Sequence, residues 1–220
     1  MRDKLSKYKF KKISIESFKN GARLLLDASL LYNNGSYPSA FQLSVLALEE
    51  FSKSYWVEHY YYASITNTGF PDKTFEQKWL SLLYLHPKKQ SAFFGWGLER
   101  DYAPDFIEFI KSGSLELKKQ KSIYVGLDRM KRGIDVNSRV SLPWSIKDKD
   151  AREMISLLVD YLKSIFDQFK LNEFYFNIPG KDALLTDTLL ANLQSWKFKC
   201  NLKKKNESFS VASLLGLLRG

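Results

Sequence analysis

The 220-residue chain has one cysteine, Cys200, and only two histidines, His59 and His86. One cysteine excludes an intramolecular disulfide and a multi-cysteine zinc centre, and two histidines leave little for an imidazole-based metal site. No apolar run approaches the ~18–20 residues of a membrane span, and the charged N-terminus leads into no signal-type apolar segment. A soluble, cytoplasmic protein with no membrane partner is therefore expected. The glycine-rich nucleotide loops, the Gly-x-Ser-x-Gly elbow and the His-Glu-x-x-His zinc motif are all missing, so no cofactor and no metal is expected. Repeats and Gly/Ser linkers are also lacking, which favours a single domain over 1–220, with a core at 14–170 and a C-terminal helical extension at 171–220.

What is present is apolar and basic. Hydrophobic residues make up 45% and aromatics 15%, enough to exclude a disordered chain. The net charge of +10 is unevenly spread. Segments 1–12, 118–132 and 197–205 each carry +5, which leaves −5 for the rest. A mildly acidic body with three basic patches suits a polyanion, and nucleic acid is the commoner one for a soluble protein.

Helical periodicity dominates. Ser14–Asn33 places Ile15, Phe18, Ala22, Leu25 and Leu26 on one stripe and stops at Asn34-Gly35. Pro38 opens a second helix to Thr66, giving an αα-hairpin. Further helices are expected over 75–85, 88–98 and 104–111, with Pro87 breaking the run at His86. Residues 113–147 look irregular. Asp148–Lys170 is the clearest helix, with Ala151, Ile155, Leu158, Leu162, Ile165 and Phe169 in an unbroken stripe. Helices over 181–199 and 210–218 complete an all-α fold.

Three places draw attention chemically. On the second helix, Glu50 projects between Leu43 and Val57 in the apolar sector, where a carboxylate needs a partner or a proton. Glu49 and Lys53, on the narrow polar face, read as an exposed i, i+4 pair. His86 is followed by Lys88 and Lys89, a combination suited to proton transfer beside a phosphate; His59 reads as structural. Cys200 lies among lysines, which should lower its pKa.

Ser36-Tyr37-Pro38-Ser39-Ala40, followed by Leu46-Ala47-Leu48-Glu49-Glu50-Phe51-Ser52-Lys53, resembles the G-x-Y-x-x-A and A-x-E-E-x-x-K pattern of the AbiV abortive-infection family. His86-x-x-Lys89 resembles that family's next signature, and Lys121-Ser122-Ile123-Tyr124-Val125 its tyrosine-centred segment. The resemblance spans roughly Ile15 to Phe169 and implies a HEPN-like helical bundle with an irregular 113–147 segment and extra C-terminal helices. It further implies a dimeric antiphage effector acting on RNA or the translation machinery, in the manner of metal-independent HEPN ribonucleases. The chain lacks the commonest HEPN pattern, Arg-x(4–6)-His, so cleavage requires a variant site built from Glu50, His86 and Lys89. Substrate contacts are then expected from Lys53, Lys88, Lys118, Lys119, Lys121, Tyr124, Arg129 and Arg132. The alternative is a non-catalytic helical dimer that binds a phage protein, the ribosome or a partner encoded nearby.

Overall fold

Glycine at position 35 adopts φ +75°, a left-handed turn that reverses the chain between two long helices. The first, α1, spans Lys7–Asn33 and the second, α2, Tyr37–Thr66. They lie antiparallel, with Phe10 against Tyr60 and Ser14 bonded to Ser54. A computed structural model describes residues 5–67, 69–95, 101–127 and 133–204, and the backbone of 129–130. After the hairpin come α3 (Lys73–Leu82), α4 (His86–Phe94), α5 (Pro104–Lys111), α6 (Ser114–Lys121), α7 (Asp148–Asn172) and α8 (Asp187–Ser195). Arg129–Met130 and Gly133–Ile134 form a two-stranded antiparallel ribbon, β1–β2, and Pro143–Ser145 a 3-10 turn. The fold is all-α.

Helix α2 touches α1, α4, α6 and α7, so it forms the centre of the bundle. Its buried residues include Ala40, Phe41, Val45, Leu48, Phe51 and Val57, and they also include Glu49 and Glu58. The stripe of α7 packs on it through Ala151, Ile155, Leu158, Leu162 and Ile165. A second cluster, with Phe10, Val57, Tyr60, Tyr61, Trp79 and Ile178, joins α3 to the far end of the hairpin. Gly21 allows the two long helices to close on each other: a Cβ there would lie 2.9 Å from the Phe51 ring.

Several element bounds differ from expectation. Helix α1 starts seven residues before Ser14, because Ser6 is the cap, accepting from the Lys9 amide, and Phe10 is fully buried. Helix α3 covers Lys73–Leu82 rather than 75–85, capped by Asp72. Helix α4 begins at His86 itself, where proline in the first turn costs no hydrogen bond. Residues 113–147, expected to be irregular, contain α6 and the ribbon. The helix expected over 181–199 shrinks to Asp187–Ser195, with a 3-10 turn at Asp182–Leu184 before it. Beyond it the chain runs extended, held by Trp196 Nε1 donating to Ser156 Oγ (2.9 Å) and by Asn201 bonded twice to Glu153. The 210–218 expectation lies outside the described residues.

Candidate functional site

The narrow polar face of α2 is covered by α4 and α6, and this reverses the roles expected for its two adjacent carboxylates. Glu50 is half-buried and pairs with Lys53 at 2.6 Å, both side chains being partly exposed. Glu49, expected on the surface, is 1% exposed. The exposed Glu49–Lys53 pair does not form. Four groups converge on Glu49 instead. Its Oε1 accepts from Gln90 Nε2 (2.9 Å) and Lys119 Nζ (2.8 Å). Its Oε2 lies 2.5 Å from His86 Nδ1 and 3.3 Å from Lys89 Nζ. A carboxylate has about four lone-pair positions, so Glu49 is saturated.

Burial alone would raise the Glu49 pKa. The hydrogen bonds from Lys119, Gln90 and His86, with the charge of Lys119, outweigh that and hold it below the usual glutamate range. An ionised carboxylate only accepts, so His86 Nδ1 carries the proton and donates it. The side chain of His86 is 48% exposed, so its ring reaches the cleft. This is the orientation a carboxylate imposes on a working histidine.

Glu116 completes the floor. It takes Lys119 Nζ at 2.7 Å and Gln90 Nε2 at 2.8 Å on Oε2, and Gln120 Nε2 at 3.0 Å on Oε1. Among the described residues, Glu49, His86 and Glu116 are the group able to hold a cation, with ligand atoms within 4.8 Å of one another. The Lys119 ammonium already bonds both carboxylates, so a divalent ion there would have to displace a buried lysine.

His86 opens into a cleft of about 940 Å³, lined also by Glu116, Lys119, Gln120, Lys121 and Tyr124. The expected site residues are thus partly gathered. His86, Lys119, Lys121 and Tyr124 share this cleft, and Lys89 reaches it through Glu49. Lys88 is exposed on α4 outside the lining. Lys118 turns away to Asp150 of α7 at 2.6 Å and lies over the Phe41 and Phe109 rings. Glu50 and Lys53 are not part of the lining. Arg129 belongs to β1, where only the backbone is described, and Arg132 lies outside the described residues.

His59, read as structural, is exposed and stacks beside Tyr55 at 6.2 Å between ring centroids. A further expectation changes: burial pushes the Cys200 thiol above its usual pKa despite the nearby lysines. Sequence reasoning missed Glu49, Gln90 and Glu116.

No helix among the described residues is long and apolar enough to cross a membrane. The family model described as AbiV, of the HEPN group, matches residues 9–163, more than half of the chain. No curated protein and no solved structure matches it.

Proposed function

The chain belongs to the AbiV family of HEPN proteins, and from that premise we propose that it is a cytoplasmic antiphage abortive-infection effector that cuts RNA at the His86 cleft. The observation supporting this is the Glu49–His86 pair: a buried, ionised carboxylate holding the Nδ1 proton of a histidine whose ring reaches the cleft. In this reading Nε2 is unprotonated and takes the proton of an RNA 2′-hydroxyl. The 2′-oxygen attacks the adjacent phosphorus, and the bond to the 5′-oxygen breaks on the opposite side. The products are a 2′,3′-cyclic phosphate and a 5′-hydroxyl end that takes its proton from water. The imidazolium formed is stabilised by Glu49 and returns its proton to solvent. Lys119 and Lys121 line the cleft and oppose the charge that builds on the phosphate. Glu49 is a positioning residue, and Lys89 acts through it.

The test is incubation of the purified protein with tRNA and ribosomal RNA, wild type beside His86→Ala. The wild type is expected to give fragments ending in 2′,3′-cyclic phosphate, and His86→Ala none. Identical RNA patterns for the two proteins, under conditions where the wild type stops cell growth, would overturn the reading. That outcome would favour the contact-only alternative, a helical dimer that occupies the ribosome or a phage protein.

A further inference from the structure

We infer that the cleft takes an unpaired nucleotide, with its phosphate at the His86–Lys119 floor and its base on Tyr124, and that it excludes duplex RNA. This rests on the RNA reading above and adds which form of RNA enters and which residue reads it.

Two chemistries share this cavity. Part of its lining is polar and charged: His86, Glu116, Lys119, Gln120 and Lys121. Another part forms an apolar wall of Ile123, Val125, Leu127 and Ile134, and Tyr124 lies in the same segment. Tyr124 is 66% exposed, Val125 61% and Ile134 62%, so this wall is bare rather than packed. The lip is nevertheless fixed at both ends. The amides of Ile123 and Tyr124 both donate to the Gln120 carbonyl at 3.1 Å, closing the end of α6. Gly126 and Ser141 exchange backbone bonds of 3.2 and 2.7 Å, and Ser141 Oγ donates to the Gly126 carbonyl at 3.0 Å. Tyr124 is thus presented by a tethered lip.

An A-form duplex buries its bases in the stack and offers phosphates and 2′-hydroxyls to a protein. Against the apolar wall those groups would lose water and gain no partner. An unpaired base has an open π-face, and stacking on an aromatic side chain is worth about 1–3 kcal/mol. The cavity volume of about 940 Å³ lies at the upper end of the ~300–1,000 Å³ typical of sites that enclose small organic ligands. It suits a nucleotide or two rather than a helix.

Fluorescence anisotropy with short, labelled, 2′-O-methylated RNA tests this. The probes are a single strand, a blunt duplex of the same sequence and a single strand carrying abasic sites. Wild-type protein is expected to bind the single strand at least tenfold more tightly than the duplex. Abasic sites and Tyr124→Ala are each expected to weaken single-strand binding about tenfold, and Tyr124→Phe to preserve it. Duplex binding should not respond to Tyr124→Ala. Equal affinity for the two forms, binding of neither, or no abasic effect on the wild type would overturn the inference. So would a folded Tyr124→Ala protein with unchanged affinity. These probes lack the attacking hydroxyl, so failure to cut tRNA leaves this test intact, and failure here leaves the cleavage assay intact.

Discussion

Glu49 and Glu50 are neighbours in sequence with opposite environments, and neutralising each in turn measures the difference. Glu49→Gln preserves shape but removes the charge facing Lys89 and Lys119, all three side chains being no more than 8% exposed. Removing one partner of a buried pair costs about 3–5 kcal/mol, because the other charge stays buried. Lys119 retains Glu116 at 2.7 Å, so the lower end, about 3 kcal/mol, is appropriate. For a chain of this size that lowers Tm by about 6–12 °C. Glu50→Gln breaks only the partly exposed Lys53 pair, worth less than about 1 kcal/mol, or about 4 °C at most. The Glu49 effect also has a definite pH dependence. Its folded pKa is depressed, so its contribution is complete above the ordinary glutamate pKa and is lost as pH falls through the folded value. The gap between wild type and Glu49→Gln should therefore be widest near neutrality and close in acid. Thermal unfolding by circular dichroism, at pH 7 and in an acidic series, reads all three proteins. Equal Tm losses for the two substitutions, or a larger one for Glu50→Gln, would refute the assignment of the buried carboxylate.

Replacing a helical glycine by alanine ordinarily stabilises by about 1 kcal/mol, yet Gly21→Ala should lower stability. Its Cβ meets the buried Phe51 ring at 2.9 Å, an overpacking that costs about 1–3 kcal/mol, and chemical denaturation reads the sign. Lys181→Met should destabilise by about 3 kcal/mol, because it leaves Glu58 buried without the ammonium that pairs with it and lies over the Phe18 and Phe176 rings. The double variant with Glu58→Gln should recover much of that loss, and an additive loss in urea melts would contradict the pairing. Cys200 should react slowly with a thiol reagent at pH 8 in the folded protein and rapidly in denaturant, because burial disfavours its thiolate.

Helix α7 was readable from sequence because Ala151, Ile155, Leu158, Leu162 and Ile165 make an unbroken apolar stripe, even though every residue from Glu153 to Val159 is buried in the fold. The αα-hairpin was readable for a similar reason: Gly35 and Pro38 mark its turn chemically. Helix α2 defeated the same method. A helical wheel assigns the polar side to water, and in α2 that side carries Glu49, which α4 and α6 cover. A polar face covered by another helix carries the same local pattern as one that meets water. The end of the 181–199 stretch was misread for a different cause. Its residues after Ser195 satisfy the periodic pattern locally, yet the chain is held extended by distant partners, Ser156, Glu153 and the Ala103 amide, which donates to the Leu202 carbonyl at 2.9 Å. Such partners are 40 or more residues away and leave no local mark. The charge pattern misled in part as well. Lys118 and Lys119 add to a basic segment in sequence, but Asp150, Glu49 and Glu116 engage them in space.

The two buried carboxylates of α2 explain how the bundle and the site depend on each other. Glu49 and Glu58 are nine residues apart, which at 100° per residue places them on opposite faces, about 13 Å apart along the axis. Glu58 binds Lys181 and the Asn177 amide, fastening the segment after α7 onto the hairpin, while Ser14 of α1 donates to the Ser54 carbonyl and accepts from Lys181 at 3.0 Å. Glu49 binds α4 through His86, Lys89 and Gln90, and α6 through Lys119. Each carboxylate requires partners from a different part of the chain, so neither face can close correctly without the other helices in register. On the Glu49 side the carboxylates of Glu49 and Glu116 face the ammoniums of Lys89 and Lys119, so the helices α2, α4 and α6 meet over matched opposite charges.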